Sequence, residues 1–341
     1  MYTVSTAGEI VAVECASSRL LARLRAATGG ELAGAGAGAA AAGAAPTVLL
    51  RVLDGRPPLA RAGWAPVARG VWARPGRVLL ADACGSGFDI VASAGAEVLE
   101  ITAWYRPLPR VRAANIALAA RFRQLAAQTL VHYPALWRAA LRGRVPLHVS
   151  VTAGAQGVMM IAGPGGVGKS TLVAAALAAG DTVTADNVCA CDGRRAYGLA
   201  EPLRLDDRAM SIAGLPGTPG GARAGALAPH GRREYPLPRR ADCLEPDRIV
   251  VLRRGDAPAL APLPPATAAR ELIAGTYMAG ELRRFWQFAA ALAEAGGEGP
   301  AHPDVAGVAA ALSARLPCLA LTLGQRGTAP ARELLAMAGA A

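Results

Sequence analysis

The sequence predicts an α/β protein in which a strand–loop–helix unit follows a smaller α+β unit. Three observations carry that expectation. Short β-prone runs crowd residues 1–105, helical periodicity takes over at 106–144, and beyond Val145 apolar strands alternate with helices around a glycine-rich loop. The 341 residues suit about two domains, and 53% hydrophobic content supplies material for their cores. The expected division is a sheet-containing N-terminal domain over 1–105, a helical connection over 106–144 and a P-loop domain over 145–341.

The elements follow in order. Glu9–Glu14 reads as a strand, and SSRLLARLRAA after it as an amphipathic helix. Residues 28–46 are Gly/Ala-rich and read as a mobile loop, because Gly recurs every few residues. TVLLRVL, GRVLLAD, FDIVAS and EVLEITAW, separated by Gly, Pro and Asp, make a small sheet. VRAANIALAARFRQLAAQTLV has helical spacing with Arg on its polar face. It should stop before Tyr133-Pro134, with ALWRAALRGR as a second helix.

VPLHVSVTA then reads as one strand, GAQG as a turn and VMMIA as a buried strand. TLVAAALAAG is a helix closed by Gly180, and DTVTADNVCACDG a further strand. Residues 213–233 and 255–267 are rich in Gly, Pro and Ala and read as mobile loops. RIVVLRR is a strand. The tail alternates three helices (AARELIAGTY, ELRRFWQFAAALAEA, DVAGVAAALSARL) with a last strand, CLALTLG.

Composition narrows the function classes. The net charge of +11 favours anionic partners. The arginines are dispersed, however, with no basic-aromatic ribonucleoprotein stripe, which argues against a nucleic-acid motor or binding protein. Six cysteines lie scattered without Cys-x-x-Cys or Cys/His ligand spacing, so neither a zinc site nor a disulfide framework is expected. Cys189 and Cys191 share a strand face and read as small buried hydrophobes. The N-terminus lacks a signal-peptide pattern, and no apolar run is long enough to span a bilayer. The expected setting is cytoplasmic, with no membrane partner. Peptide or small-protein substrates and self-association are the partners left open.

Gly163-Pro164-Gly165-Gly166-Val167-Gly168-Lys169-Ser170 matches G-x-x-x-x-G-K-[ST], with a buried strand before it and a helix after. Glycines let successive N–H groups curl around phosphate oxygens, and the helix beginning near Gly168 points its positive end at them. Lys169 supplies a point charge for the β/γ-phosphates, and the Ser170 hydroxyl can ligate Mg²⁺. The binding set is therefore Gly163, Gly165, Gly166, Val167, Gly168, Lys169, Ser170 and Thr171, with ATP or GTP and Mg²⁺ as the expected ligands. A chance match is weighed down by one detail. Of 36 basic residues only Lys169 is lysine. Random placement would put it at that motif position about once in 36.

A nucleotide site of this kind also needs a carboxylate near the metal. Asp186 sits towards the end of the strand after the loop's helix, and a right-handed crossover returns that strand end to the loop's side of the sheet. It is a candidate metal ligand with Ser170, or a catalytic carboxylate. His148 is placed by register. If 148–153 and 157–162 form a hairpin, paired positions sum to about 310 and His148 lies opposite Ala162, beside Gly163. It is a candidate for proton transfer, as is Asp186. His132, His230 and His302 lie in helix-end or loop contexts and read as surface residues.

The run from Leu147 to about Val188 resembles HPr kinase/phosphorylase and its serine-kinase-like relatives, in the spacing of His148, the G-x-x-G-x-G-K-S loop and Asp186. The resemblance implies a phosphoenolpyruvate-carboxykinase-like P-loop kinase domain preceded by a small α+β domain. It further implies ATP-dependent phosphorylation of a Ser or Thr hydroxyl on a peptide or protein. Residues 1–105 do not resemble the amino-terminal domain of the bacterial HPr enzymes. The chain looks more like divergent relatives, some of which modify ribosomally made peptides.

It departs from the pattern in three places. Asn187 replaces the second acid of the family's Asp-Asp pair and cannot accept a proton. Asp181 stands where a His often begins the strand. AYGLAEPLRL replaces the glycine-rich isoleucine signature, with Glu201 and Arg204 as further candidate contacts. Asn187 keeps a second expectation open, a nucleotide-binding module that presents a peptide to partner enzymes without transferring phosphate. Arg223, Arg232 and Arg233 are candidates to grip an acidic substrate.

Overall fold

The computed structural model describes residues 1–29, 44–55, 63–95, 97–213, 228, 231–235, 237, 239–296, 299–300, 302–324 and 331–339. The core of the Gly/Ala segment, Arg223 and His230 lie outside them. Among the described residues the chain is a mixed α/β protein with four sheets.

The first sheet is built from β1 (Tyr2–Thr6), β2 (Glu9–Cys15), β3 (Val48–Leu53), β4 (Ala65–Ala68), β5 (Val71–Arg74), β6 (Arg77–Leu80), β7 (Phe88–Ala94) and β8 (Leu99–Tyr105), in the order β1-β2-β3-β8-β7-β6-β5-β4. Helix α1 (Ser18–Ala27), capped by the Ser17 side chain, connects β2 to its parallel neighbour β3. The sequence reading missed β1, β4 and β5. All four residues of β4 are exposed, so no apolar alternation marks it.

Helices α2 (Pro109–Ala117) and α3 (Ala119–Ala127) follow. The expected stop before Tyr133-Pro134 does not occur. The chain passes through one π-helical turn at Gln128–His132 straight into α4 (Tyr133–Ala140). Pro134, which lacks the N–H to continue the ladder, stands directly after that wider turn.

The first core is shared with the rest of the chain. Val11, Leu50 and Ile101 pack with Leu130 and Trp137, and also with Leu282, Phe285 and Phe288 from far along the sequence. Glu9, fully buried, pairs with Arg142 and Arg144 at 3.2 Å each. The boundaries at 105 and 144 therefore separate sheets but not cores.

Beyond α4 come β9 (Val145–Leu147), β10 (Ser150–Gly154), β11 (Gly157–Ala162), α5 (Lys169–Ala179), β12 (Thr182–Ala185) and β13 (Cys189–Cys191). Next are β14 (Ala196–Gly198), β15 (Leu203–Leu205), α6 (Asp207–Ile212), β16 (Arg233–Tyr235), β17 (Cys243–Leu244), β18 (Arg248–Arg253) and β19 (Pro258–Pro262). The chain closes with α7 (Pro265–Met278), α8 (Arg283–Gly296), α9 (Val305–Arg315), β20 (Cys318–Leu323) and α10 (Ala331–Gly339).

The central sheet runs β12-β10-β11-β18-β20-β19. Strands β11, β18 and β20 are parallel, and β12 shares their direction because both β11 and β12 pair antiparallel with β10. Met159 and Ile161 face α5 and α10 on one side, while Met160 and Ala162 face α7 and α9 on the other. Burial on both faces explains the unbroken apolar runs of these strands.

A second, four-stranded sheet runs β17-β14-β13-β9. Two expected single strands are thus split between sheets: VPLHVSVTA into β9 and β10, and DTVTADNVCACDG into β12 and β13. Residues 255–267, read as a loop, hold β19 and the start of α7. The prolines of β19 are tolerated because it is an edge strand.

Candidate functional site

The phosphate loop leaves the carboxyl end of β11 and enters α5. Gly163, Gly166 and Gly168 adopt φ of +138°, +74° and +132°, which side chains beyond glycine resist. A Cβ on Gly163 would also meet the Leu252 carbonyl oxygen at 2.9 Å. Gly168 precedes α5 without a side-chain cap, so the first amides of the helix stay available to an anion. Arg254 donates to the Gly166 carbonyl at 2.6 Å and braces the loop from the end of β18.

A cavity of about 580 Å³ opens over this loop. Gly165, Gly166, Gly168, Lys169, Ser170 and Thr171 line one side of it. Gly163 and Val167 are not among its lining residues; Gly163 makes the turn against β18, and Val167 packs into the core with α5. The Lys169 ammonium donates to the carbonyls of Gly163 at 2.8 Å and Pro164 at 3.3 Å. Burial lowers its pKa to about 8, against the opposing pull of Asp186 and Glu281.

Asp186 follows the carboxyl end of β12 and is fully buried behind Ser170 rather than on the cavity wall. Neither carboxylate oxygen has a hydrogen-bond partner. Burial raises its pKa. The Ser170 hydroxyl, Arg204 and Lys169 favour the charged form, with Ser170 close by but outside hydrogen-bond geometry. The backbone there is held by the Ser150 hydroxyl, which donates to the Asp186 carbonyl.

His148 reaches the cavity by a route other than the expected hairpin. The hairpin pairs Ser150 with Ile161 and Gly154 with Gly157, a register sum of 311, and stops at Ser150. His148 lies at the bend where the chain leaves one sheet for the other, so it does not face Ala162. Helix α7 holds it instead. Thr276 Oγ1 accepts from the His148 amide at 3.0 Å, and Nδ1 lies 3.2 Å from the Gly275 carbonyl. Its pKa falls to about 4, first through burial and then through Lys169. His132, read as a surface residue, is buried, with Nε2 3.0 Å from the Ala200 carbonyl. Burial likewise lowers its pKa to about 4.

The far wall contains residues that sequence reasoning touched only loosely or missed. Asn187, Arg204 and Arg232 line it, with Asp206, Glu271 and Glu281. Arg204 is held by Glu201 at 3.1 Å and Glu234 at 3.6 Å, and Glu234 also pairs with Arg123 at 2.7 Å. Burial pushes Glu201 up to about 7 despite Arg204. Glu281 sits in the turn between α7 and α8, where its carbonyl accepts from the Tyr133 hydroxyl at 2.8 Å. No local motif announces that turn. The only signal was that α7 and α8 end and begin within a few residues of each other.

Among the described residues no cluster of three or more His, Cys, Asp or Glu is arranged as a metal cage, and no helix is long and apolar enough to cross a membrane. All six cysteines are unpaired. No protein-family model matches the chain, and no curated protein matches it significantly.

Proposed function

We propose that the chain is an ATP-dependent phosphotransferase acting on a Ser or Thr hydroxyl of a peptide or small protein. We read it as a divergent HPr-kinase-like protein with a phosphoenolpyruvate-carboxykinase-like P-loop core. One observation carries the reading. The chain's lone lysine lies at the head of a 580 Å³ cavity, held by the loop's own carbonyls, with an orphaned carboxylate buried behind the adjacent Ser170. An ammonium whose pKa burial lowers to about 8 gains from the charge of a bound polyphosphate.

A magnesium ion fits this donor set. Ser170 is a neutral oxygen ligand, and the unpartnered Asp186 oxygens behind it are the hard donors such an ion prefers. These two residues would hold it, and when bound it would neutralise charge on the β/γ-phosphates. The remaining work is positioning. The loop amides and Lys169 orient the phosphates, and the far wall presents the acceptor.

Asn187 on the cavity wall favours a second reading, a nucleotide-binding module that recognises a peptide without transferring phosphate. Incubation with γ-labelled ATP or GTP and a peptide encoded beside this chain separates the two. The kinase reading expects label on Ser or Thr, lost in Asp186→Ala and kept or raised in Asn187→Asp. Label appearing with Asn187→Asp and never with the native chain would select the module.

A further inference from the structure

The carboxylates around the cavity divide by what already holds them. Glu271 bonds to Arg253 at 3.0 Å. Asp206 accepts from the Ala209 amide at 2.7 Å and caps α6. Asp186 is buried behind Ser170, where on the reading above it would hold the metal. Glu281 differs from all three. It is half-buried on the wall, and its carboxylate has no hydrogen bond or ion pair among the described residues.

Its placement is nonetheless built. The Tyr133 hydroxyl holds its carbonyl, and the last turn of α7, five residues earlier, holds His148 through Thr276 and Gly275. One segment therefore carries the free carboxylate and anchors the imidazole, and both side chains line the cavity together with the loop that carries Lys169. The field of Glu281 reaches Lys169, His148 and Arg204. The other wall groups are poor proton acceptors. Asn187 has no basic atom, and His148 is depressed by burial and by Lys169.

We propose that Glu281 is the proton acceptor for the attacking hydroxyl in the transfer reaction, a role that rests on the phosphotransferase reading above. The acceptor oxygen forms a bond to the γ-phosphorus. The bond from that phosphorus to the β–γ bridging oxygen breaks, and its electron pair leaves with the nucleoside diphosphate. The hydroxyl proton passes to the Glu281 carboxylate, and from there to solvent through the open side of the cavity. Atoms and charge balance without a further reactant.

The test uses the full-length chain, MgATP and water as the acceptor, with γ-labelled phosphate release as the readout and calorimetry for MgATP affinity. Glu281→Gln is expected to keep affinity within about threefold while release falls ~10²–10⁴-fold. Glu281→Ala should lose as much and recover at least about tenfold with added formate, a small carboxylate that can take the proton. Release by Glu281→Gln within about threefold of the native chain overturns the role of Glu281 and leaves the phosphotransferase reading standing. Loss of release in Glu281→Ala that formate does not restore also overturns it, because the residue then shapes the wall only. A native chain that binds no MgATP, or binds it and passes label neither to water nor to a Ser or Thr of the peptide encoded beside it, overturns the reading and the inference together. Where label goes to the peptide alone, that transfer is the readout for the same variants.

Discussion

The two walls of the cavity are made in opposite ways. The near wall comes from one short segment, Pro164 to Thr171, at the carboxyl end of an interior strand of the central sheet. The far wall gathers His148, Arg204, Glu271 and Glu281 from positions more than 130 residues apart. The near wall rests on a core of β11, β18 and α5. The α7–α8 turn rests on α8, whose Phe285 and Phe288 are buried in the core of the first sheet. On the phosphotransferase reading, phosphate binding is tied to one core and the placement of Glu281 to another. A ligand or partner on the first sheet would bear on transfer through α8 before it bore on nucleotide affinity.

The largest break in this arrangement comes from α8. Phe285 is fully buried between the first sheet and Tyr133, with ring centroids 5.9 Å apart. Phe285→Ala should cost about 3–5 kcal/mol of stability, read by denaturant unfolding. Transfer should fall further than nucleotide affinity in the fraction that remains folded. Equal losses in the two would mean that both walls answer to one core. Deleting residues 1–105 is a harsher version of the same test. It bares Phe285, Phe288 and Leu130, and should leave a chain that does not fold, rather than one that still binds nucleotide.

A second break is electrostatic. His132 and His148 fall to about 4 in the folded chain from an unfolded value near 6.5. The unfolded chain therefore binds more protons between those values, and stability is lost as pH drops from about 6.5 towards 4. The loss is on the order of 3 kcal/mol for each histidine. Glu201 is raised to about 7 and works the other way, its contribution being lost as pH rises from about 4.5 through 7. Asp186, also raised, acts in the same sense as Glu201. Glu201→Gln removes part of that opposition, so its melting temperature should fall more steeply than the native chain's between pH 6.5 and 4.5. An identical slope would place the titrating groups elsewhere.

Lys169→Ala is the near-wall counterpart. It removes a charge-assisted contact worth about 1.5–3 kcal/mol of MgATP affinity. It should not lower stability, because the native ammonium is buried with only carbonyl partners. Because burial holds its pKa near 8, ATP binding at pH 8.5 should draw in a proton. That uptake appears as a dependence of the calorimetric heat on buffer ionisation enthalpy, and it should vanish in Lys169→Ala.

What was legible in the sequence follows the same division. The near wall was readable because its chemistry is contiguous and its flanking strand and helix have clear apolar patterns. Asp186 was readable because it ends a strand whose crossover is predictable. His148 was placed in the right cavity for the wrong reason, since pairing arithmetic assumes that one strand stays in one sheet. The bend at 148–149 and the break between β12 and β13 are made by sheet partners far along the chain, which no local pattern carries. Glu281 was invisible for the same reason. Its function is argued from what does not touch its carboxylate, and the sequence holds no record of that.

The finest probe of the two-wall comparison is Tyr133→Phe. The Tyr133 hydroxyl donates to the Glu281 carbonyl at 2.8 Å, while its ring stays packed against Phe285 and Phe288. Removing one oxygen leaves the packing intact and should cost only about 0.5–1.5 kcal/mol of stability. The α7–α8 turn then loses the tie that sets the height of Glu281 on the wall, whereas the phosphate loop loses nothing. Phosphate release should drop several-fold with MgATP affinity unchanged, about the effect of a reacting group displaced by a fraction of an ångström. If affinity falls in step with release, the turn and the loop move as one body, and the separation of binding from transfer is wrong. If neither changes, α8 alone holds the turn, and the coupling from the first sheet runs through Phe285 and Phe288 without the hydroxyl.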